Sequence, residues 1–382
     1  MKILMAVSYY YSLVGGTQTV VKKLADKLSQ RGHEVGILTM YVNKKGEVEW
    51  KMEEVFEQGI RVIRWPAKPI SKTSGYLSRI GKKLFNILSI PKLNFYRIMR
   101  KYDILQFYDV NDLTFPFFSF FLNIPKVFFC ATLAERFSFY KKNFFPRTIL
   151  KKSADIFLVS NENTRRLLLE LGIEEERTFS LHYGVDGEKY HPDFTKKEDD
   201  LLLFVGALEE RKGVHVLLEA LRFINQPIRL ILAGPVRDGV YASGLLKRAS
   251  ELNKDTCHKI EFLNYLEEES LIDYYQRASI FVCPSLAEEF GIVTIEALAC
   301  GTPVVASRAG GLPYAIKNGV HGFLTSPGNP EELASAIELL LRDPELRLKF
   351  GKEGSTYILK NNSWDRISKE LEEITFKSFK IL

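Results

Sequence analysis

Residues 284–303 constrain the fold more than any other stretch. An apolar run at 279–283 leads into turn chemistry from Pro284 to Gly291. Residues 292–300 then follow, apolar on nearly every face, with Gly301 and Pro303 as stop signals. A helix that is apolar all round must be buried on several sides, and strand, loop, buried helix and strand in that order is the unit of a parallel sheet covered by helices. One carboxylate, Glu296, stands inside this helix, and Glu288 precedes it in the turn with seven residues between them. A buried, unpaired carboxylate is costly, so Glu296 either meets a hydrogen-bond partner within the protein or faces a cleft where a ligand supplies one. The helix start offers N–H groups around Phe290, Gly291 and Ile292 to phosphate or hydroxyl oxygens. A solvated Glu288 with an internally bonded Glu296 is the equally open alternative.

The rest of the chain repeats this alternation. A strand at 3–8 runs into a loop and then a helix with Val20, Val21, Leu24 and Leu28 on one stripe, closed by Arg31-Gly32, and a strand at 34–39 follows. Gly15-Gly16 at that helix start either lets a ligand approach the backbone and offers amides to a phosphate, or is a simple tight turn. Further strands are expected at 104–107, 126–130 and 156–160, with a helix at 163–171. Pro192 and the charged run Lys196 to Asp200 read as a linker, after which a buried strand at 201–205 opens a second domain. Lys212-Gly213 in the next strand-to-helix loop can hold a cation over a diphosphate, and Arg211 beside it either adds charge or faces solvent. At 382 residues and 46% hydrophobic content the chain can build two cores. The expected division is 1–190, 191–362 and a last helix at 363–382.

Net charge is +6, distributed as +12 over residues 1–185 and −6 over 186–382. From Arg61 to Lys101 there are many cations and no acid, with Leu77, Ile80, Leu84, Phe85 and Leu88 interleaved, and a second basic patch at Lys141, Lys142, Arg147, Lys151 and Lys152 encloses Phe144 and Phe145. Such stretches suit an anionic membrane surface, or else form a solvated face whose apolar side packs inward. No nucleic-acid motif is present, so nucleic acid is not expected as a partner. The aromatic run 115–130 is interrupted by Pro116, Asn123, Pro125 and Lys126 and falls short of a membrane-spanning helix. Four scattered cysteines and a first strand in place of a signal-peptide core point to the cytoplasm.

The run Pro284-Ser285-x-x-Glu288-x-Phe290-Gly291, then Glu296-Ala297-x-Ala299-x-Gly301-x-Pro303-Val304-Val305-Ala306, resembles the Glu-x7-Glu signature of family 4 retaining glycosyltransferases. Gly15-Gly16 before a helix ending in Arg-Gly-His-Glu-Val, Gly184-Val185-Asp186, Gly310-Gly311-Leu312-Pro313 and Asn318-Gly319-x-x-Gly322 are similar to other segments of that family. The resemblance implies an α/β chain of the GT-B fold. Its two Rossmann-like domains would carry parallel sheets facing across a cleft, with the C-terminal helix crossing back to the first domain. It also implies transfer of a hexose, with retention, from a UDP- or GDP-linked sugar to an acceptor hydroxyl on a lipid-linked or membrane-associated glycan. No cofactor and no metal is expected, in keeping with the lack of an Asp-x-Asp motif.

By the same resemblance Lys212 would hold the diphosphate, Glu296 the ribose, and Glu288 with the backbone of Phe290, Gly291 and Ile292 the sugar. Gly15, Gly16, Gly206 and Tyr265 complete the expected donor site, and Lys212, Arg211 and Glu288 are the expected catalytic group. Asp109, Thr132 and Glu135 are the acceptor candidates. Ala207 stands where relatives carry arginine, Ala131 near a usual histidine and Tyr314 where glutamate is common. These departures motivate the alternative of an inactive nucleotide-sugar-binding homologue acting as a partner subunit.

Overall fold

The computed structural model describes residues 1–7, 16–40, 52–57, 59–65, 67–69, 89–91, 96–108, 114–130 and 134–380. The chain divides into two compact units, Met1–His182 with Trp364–Leu382, and Tyr183–Ser363.

The N-terminal unit is built on an eight-stranded sheet of β1 (Lys2–Val7), β2 (Glu34–Met40), β3 (Glu53–Glu57), β4 (Ile60–Trp65), β7 (Ile104–Phe107), β8 (Lys126–Phe129), β9 (Ile156–Val159) and β10 (Thr178–Ser180). Its order is β10-β9-β8-β7-β1-β2-β4-β3. Only β3 pairs antiparallel, with β4. A separate antiparallel ribbon joins β5 (Ala67–Pro69) and β6 (Ser89–Pro91). The central strands are buried along their length, as expected for a sheet covered on both faces.

Helix Gly16–Gln30 buries Val20, Val21, Leu24 and Leu28. The returning helix, Trp364–Phe379, packs on it. Glu372 of that helix accepts from Arg31 Nε and meets His33 Nε2, each at 2.7 Å, and Asp365 pairs with Lys27 at 3.0 Å. The Arg-Gly-His segment is therefore the dock for the chain's last helix.

The C-terminal unit carries six parallel strands, β11 (Glu198–Val205), β12 (Arg229–Ala233), β13 (Lys259–Leu263), β14 (Ala278–Cys283), β15 (Val304–Ser307) and β16 (Gly322–Thr325). Their order is β13-β12-β11-β14-β15-β16. The strand order reverses between β11 and β14. In doubly wound sheets the crevice beyond the carboxyl ends of the two strands at such a reversal is where ligands bind.

Three expectations need correction. The unit boundary falls at 182/183, ahead of 190/191, because the Val185 N–H donates to the Asn362 carbonyl at 2.6 Å and Asn362 Nδ2 donates to the Tyr183 carbonyl at 3.0 Å. The supposed linker is packed into the C-terminal unit. Gln276 Nε2 donates to the His191 carbonyl, β11 begins at Glu198, and the half-buried Lys197 sets its ammonium among three oxygens. Finally, Arg61 and Arg64 do not extend a free basic surface. Arg61 pairs with Glu54, and Arg64 with Glu53 and Glu57, at 2.7 Å each, across the antiparallel β3–β4 pair. Residues 70–88 and 92–95, the body of that basic stretch, lie outside the described residues. Among the described residues no helix is long and apolar enough to cross a membrane.

Candidate active site

Two loops meet beyond the ends of β11 and β14. The first runs from Gly206 to Gly213. The Gly206 N–H donates to the Ala233 carbonyl at 2.9 Å, and a short turn, Glu210–Lys212, precedes helix Val214–Ala220. Gly213 has φ +68°, and a Cβ there would lie 2.0 Å from the Pro284 carbonyl oxygen, so only glycine lets this loop touch the second one. That second loop, residues 284–291, follows β14 and leads into helix Ile292–Ala299 through Gly291, at φ +85°. The N–H groups of Leu286 and Ala287 donate to the Arg211 carbonyl at 2.8 and 3.3 Å. On its far side Gly310 and Gly311 press on the same backbone, where a Cβ would fall 1.5 Å from the Glu288 carbonyl oxygen and 2.2 Å from that of Glu289.

This clamping brings Lys212 Nζ to 2.6 Å from Glu288 Oε2, and the Ser285 hydroxyl donates to the same oxygen at 3.2 Å. The two charged side chains are only 14% and 9% exposed. Burial pushes the Glu288 carboxyl up, but the Lys212 ammonium outweighs it, with Arg211 and Ser285 adding to the effect, and the carboxyl is held below the usual range. Beneath the pair, burial and the nearby Glu288 raise the Cys283 thiol to about 11, which makes it an inert core residue. Arg211 turns the other way, onto Glu209 at 2.5 Å, with Nη1 3.5 Å from the Ala287 carbonyl.

Glu296 finds an internal partner, since the Tyr275 hydroxyl donates to its Oε2 at 3.0 Å. In the same loop Tyr183 donates to Glu289 at 3.0 Å and sets its ring edge-on to Phe290, which is buried. Thr294 closes the helix start by donating its hydroxyl to the Gly291 carbonyl at 2.6 Å, and Ile292 is half-buried as the first helical residue.

The structure thus gathers Gly206, Arg211, Lys212, Glu288, Phe290, Gly291, Ile292 and Glu296 onto the two switch-point loops and the helix that follows them. Tyr265 comes after β13, at the sheet edge, and is 54% exposed. Gly16 opens its helix in the other unit. Gly15, Asp109 and Thr132 lie outside the described residues, as does the side chain of Glu135. Ser285, Tyr275 and Glu209 were not foreseen. Ser285 had a local signal, a hydroxyl three residues before the carboxylate, whereas Tyr275 reaches Glu296 only through the tertiary fold. Among the described residues no cluster of three or more His, Cys, Asp or Glu side chains could hold a metal ion.

Comparison with known proteins places both halves. The family described as Glycosyltransferase Family 4 matches residues 14–189, and Glycosyl transferases group 1 matches residues 186–357. The D-inositol 3-phosphate glycosyltransferase of Corynebacterium urealyticum is 33% identical over 209 residues, so the match takes in 50% of this chain and spans about half, 49%, of that protein's length. The protein of the same name from Corynebacterium diphtheriae is 28% identical over 94% of this chain and 89% of its own. Among solved structures, the sucrose-phosphate synthase of Thermosynechococcus elongatus superposes with a TM-score of 0.80 at 20% identity over 100% of both chains. Anabaena HepE in complex with UDP-glucose gives 0.76 at 19% over 98% of both. These two likenesses speak to the fold. The two family matches together run from residue 14 to residue 357, and the chain belongs to glycosyltransferase family 4, with the GT-B fold.

Proposed function

We propose that this chain transfers a hexose from a nucleotide-diphosphate sugar to an acceptor hydroxyl, with retention of anomeric configuration and without a metal. The observation that carries the reading is the buried Lys212–Glu288 pair at the switch point of the second sheet. A salt bridge there adds little to stability, because desolvation cancels much of its attraction, yet it keeps a cation and a carboxylate in place and out of water. An arriving diphosphate offers Lys212 a second anion, and Glu288 then has an oxygen to offer the hydroxyls of the sugar. The reaction separates positive charge on the sugar from negative charge on the departing diphosphate, and a pre-placed cation in a dry site stabilises that separation most. In a front-side displacement the sugar–phosphate bond breaks as the acceptor oxygen bonds to the same carbon, and the departing phosphate oxygen takes the acceptor proton. No histidine base is then required, in keeping with a sequence that has none between His33 and His182.

The complex of Anabaena HepE with UDP-glucose makes a UDP-sugar the first donor to try, with GDP-sugars next. A lipid-linked or membrane-associated acceptor at the cytoplasmic face is supported by the helix Phe144–Lys152. Its first residue is 75% exposed, with the Arg147 guanidinium 5.9 Å from its ring centroid, and Lys141, Lys142 and Lys152 are exposed around it. The test is donor hydrolysis with and without chelator. Slow nucleotide release that survives chelator and is abolished by Glu288→Gln supports the reading, with the anomer of the released sugar read by NMR. Tight donor binding with no turnover toward any acceptor would instead favour a nucleotide-sugar-binding protein that does not transfer.

A further inference from the structure

Glu296 is set inside an apolar helix, and what orients its carboxylate comes from outside that helix. Tyr275, fully buried near the end of helix Glu268–Arg277, donates its hydroxyl to Glu296 Oε2 at 3.0 Å. The backbone of the same tyrosine is held independently. Its carbonyl, one of the helix-terminal acceptors that lack an intrahelical donor, receives Lys197 Nζ at 3.3 Å and the Thr302 hydroxyl. Lys197 Nζ also reaches the Ala278 carbonyl at 2.9 Å and Thr302 Oγ1 at 2.5 Å. These three acceptors surround the end of a half-buried side chain that would otherwise lack a polar partner.

The two ends of the arrangement close on one helix. Thr302 follows the Gly301 turn at the end of Ile292–Ala299, and its own N–H donates to the Ala297 carbonyl at 3.0 Å. Tyr275 therefore grips this helix twice, at Glu296 by its hydroxyl and beyond the helix end by its carbonyl. Its ring is edge-on to Phe281 of β14 at 5.7 Å, which leaves it no freedom to swing away.

We infer that Tyr275 is the positioning residue for Glu296, with Lys197 and Thr302 fixing Tyr275 in turn, so that a lysine at the head of β11 sets the carboxylate that receives the nucleotide's ribose. This rests on the reading above, in which Glu296 accepts from the ribose hydroxyls. With one carboxylate oxygen accepting from Tyr275 the group is oriented in advance, and a fixed acceptor binds better than one that must be ordered on arrival.

The test compares UDP and GDP with their 2′,3′-dideoxy forms by calorimetry on the wild type, Tyr275→Phe, Thr302→Val and Glu296→Gln. Tyr275→Phe keeps the ring and removes only the hydroxyl. Loss of one hydrogen bond predicts that it weakens the ribose-bearing nucleotide about 3- to 10-fold and leaves the dideoxy form unchanged. Thr302→Val moves affinity the same way by a smaller factor. Equal weakening of both nucleotide forms, or no weakening, overturns the inference while leaving the donor reading intact. If Glu296→Gln itself costs no affinity, or the wild type binds neither nucleotide, the donor reading fails and the inference falls with it.

Discussion

The turn at 284–291 and the junction at Asn143 are both short connections beside charged side chains, and they differ in what surrounds them. In the turn, Lys212 and Glu288 are buried against one another, and glycines on both sides bring neighbouring backbone within van der Waals range. At the junction, Lys141, Lys142, Phe144 and Phe145 are exposed, and Lys141 pairs with Glu170 at 2.8 Å on the surface. The same residue types thus do different things. Charges paired largely out of water are little screened, whereas exposed cations are screened by water and salt.

The largest expected effect breaks the clamp on the turn. Gly310→Ala places a methyl group 1.5 Å from the Glu288 carbonyl oxygen at φ +53°, so the backbone must move. Urea titration should show a loss of roughly 3 kcal/mol or more, together with loss of donor binding. Gly244→Ala, in a helix with nothing within 4 Å of the new Cβ, should instead gain up to about 1 kcal/mol. A Gly310→Ala protein as stable as the wild type would mean that the turn is not held as described.

Next in size, Lys212→Ala should lower the transfer rate on the order of 10²- to 10³-fold. Arg211→Ala, whose partner Glu209 lies off the pair, should change it far less. Equal losses would place Arg211 in the same role as its neighbour and erase the distinction drawn between them. On the other side of the comparison, Phe144→Asp should reduce co-flotation with anionic vesicles roughly tenfold, from the lost apolar insertion and the added negative charge. An unchanged flotation profile would show that this junction is an ordinary solvated face.

The last effect is a dependence on pH. Burial lowers Lys197 from its ordinary 10.5 to about 7. The unfolded chain therefore binds more protons than the native one between those values, and stability from this group rises with pH from about 7 toward 10.5 and is lost as pH falls through about 7. Urea midpoints at pH 7 and pH 9 should show that rise in the wild type and its absence in Lys197→Met. A variant with the same slope as the wild type would assign the pH dependence to other groups.

Much of this was legible in the chain alone. Alternating apolar runs and glycine-rich turns marked the central strands of both sheets, because a strand buried on both faces leaves a continuous apolar run whatever its neighbours are. Lys212, Glu288 and Glu296 stood out because each is a charge set beside or inside segments that must be buried. Local pattern failed where the partner is distant in sequence. The run Lys196 to Asp200 reads as a solvated linker, and only the packed structure shows Lys197 bonded to Tyr275, Ala278 and Thr302. Likewise, Arg61 and Arg64 look like free cations until β3 brings Glu53, Glu54 and Glu57 beside them. Local pattern is enough to say which segments are buried and where charge sits along the chain. Which charges neutralise one another, and which tyrosine turns toward Glu296, were decided by the tertiary structure, because such contacts depend on distances between segments that no local pattern encodes.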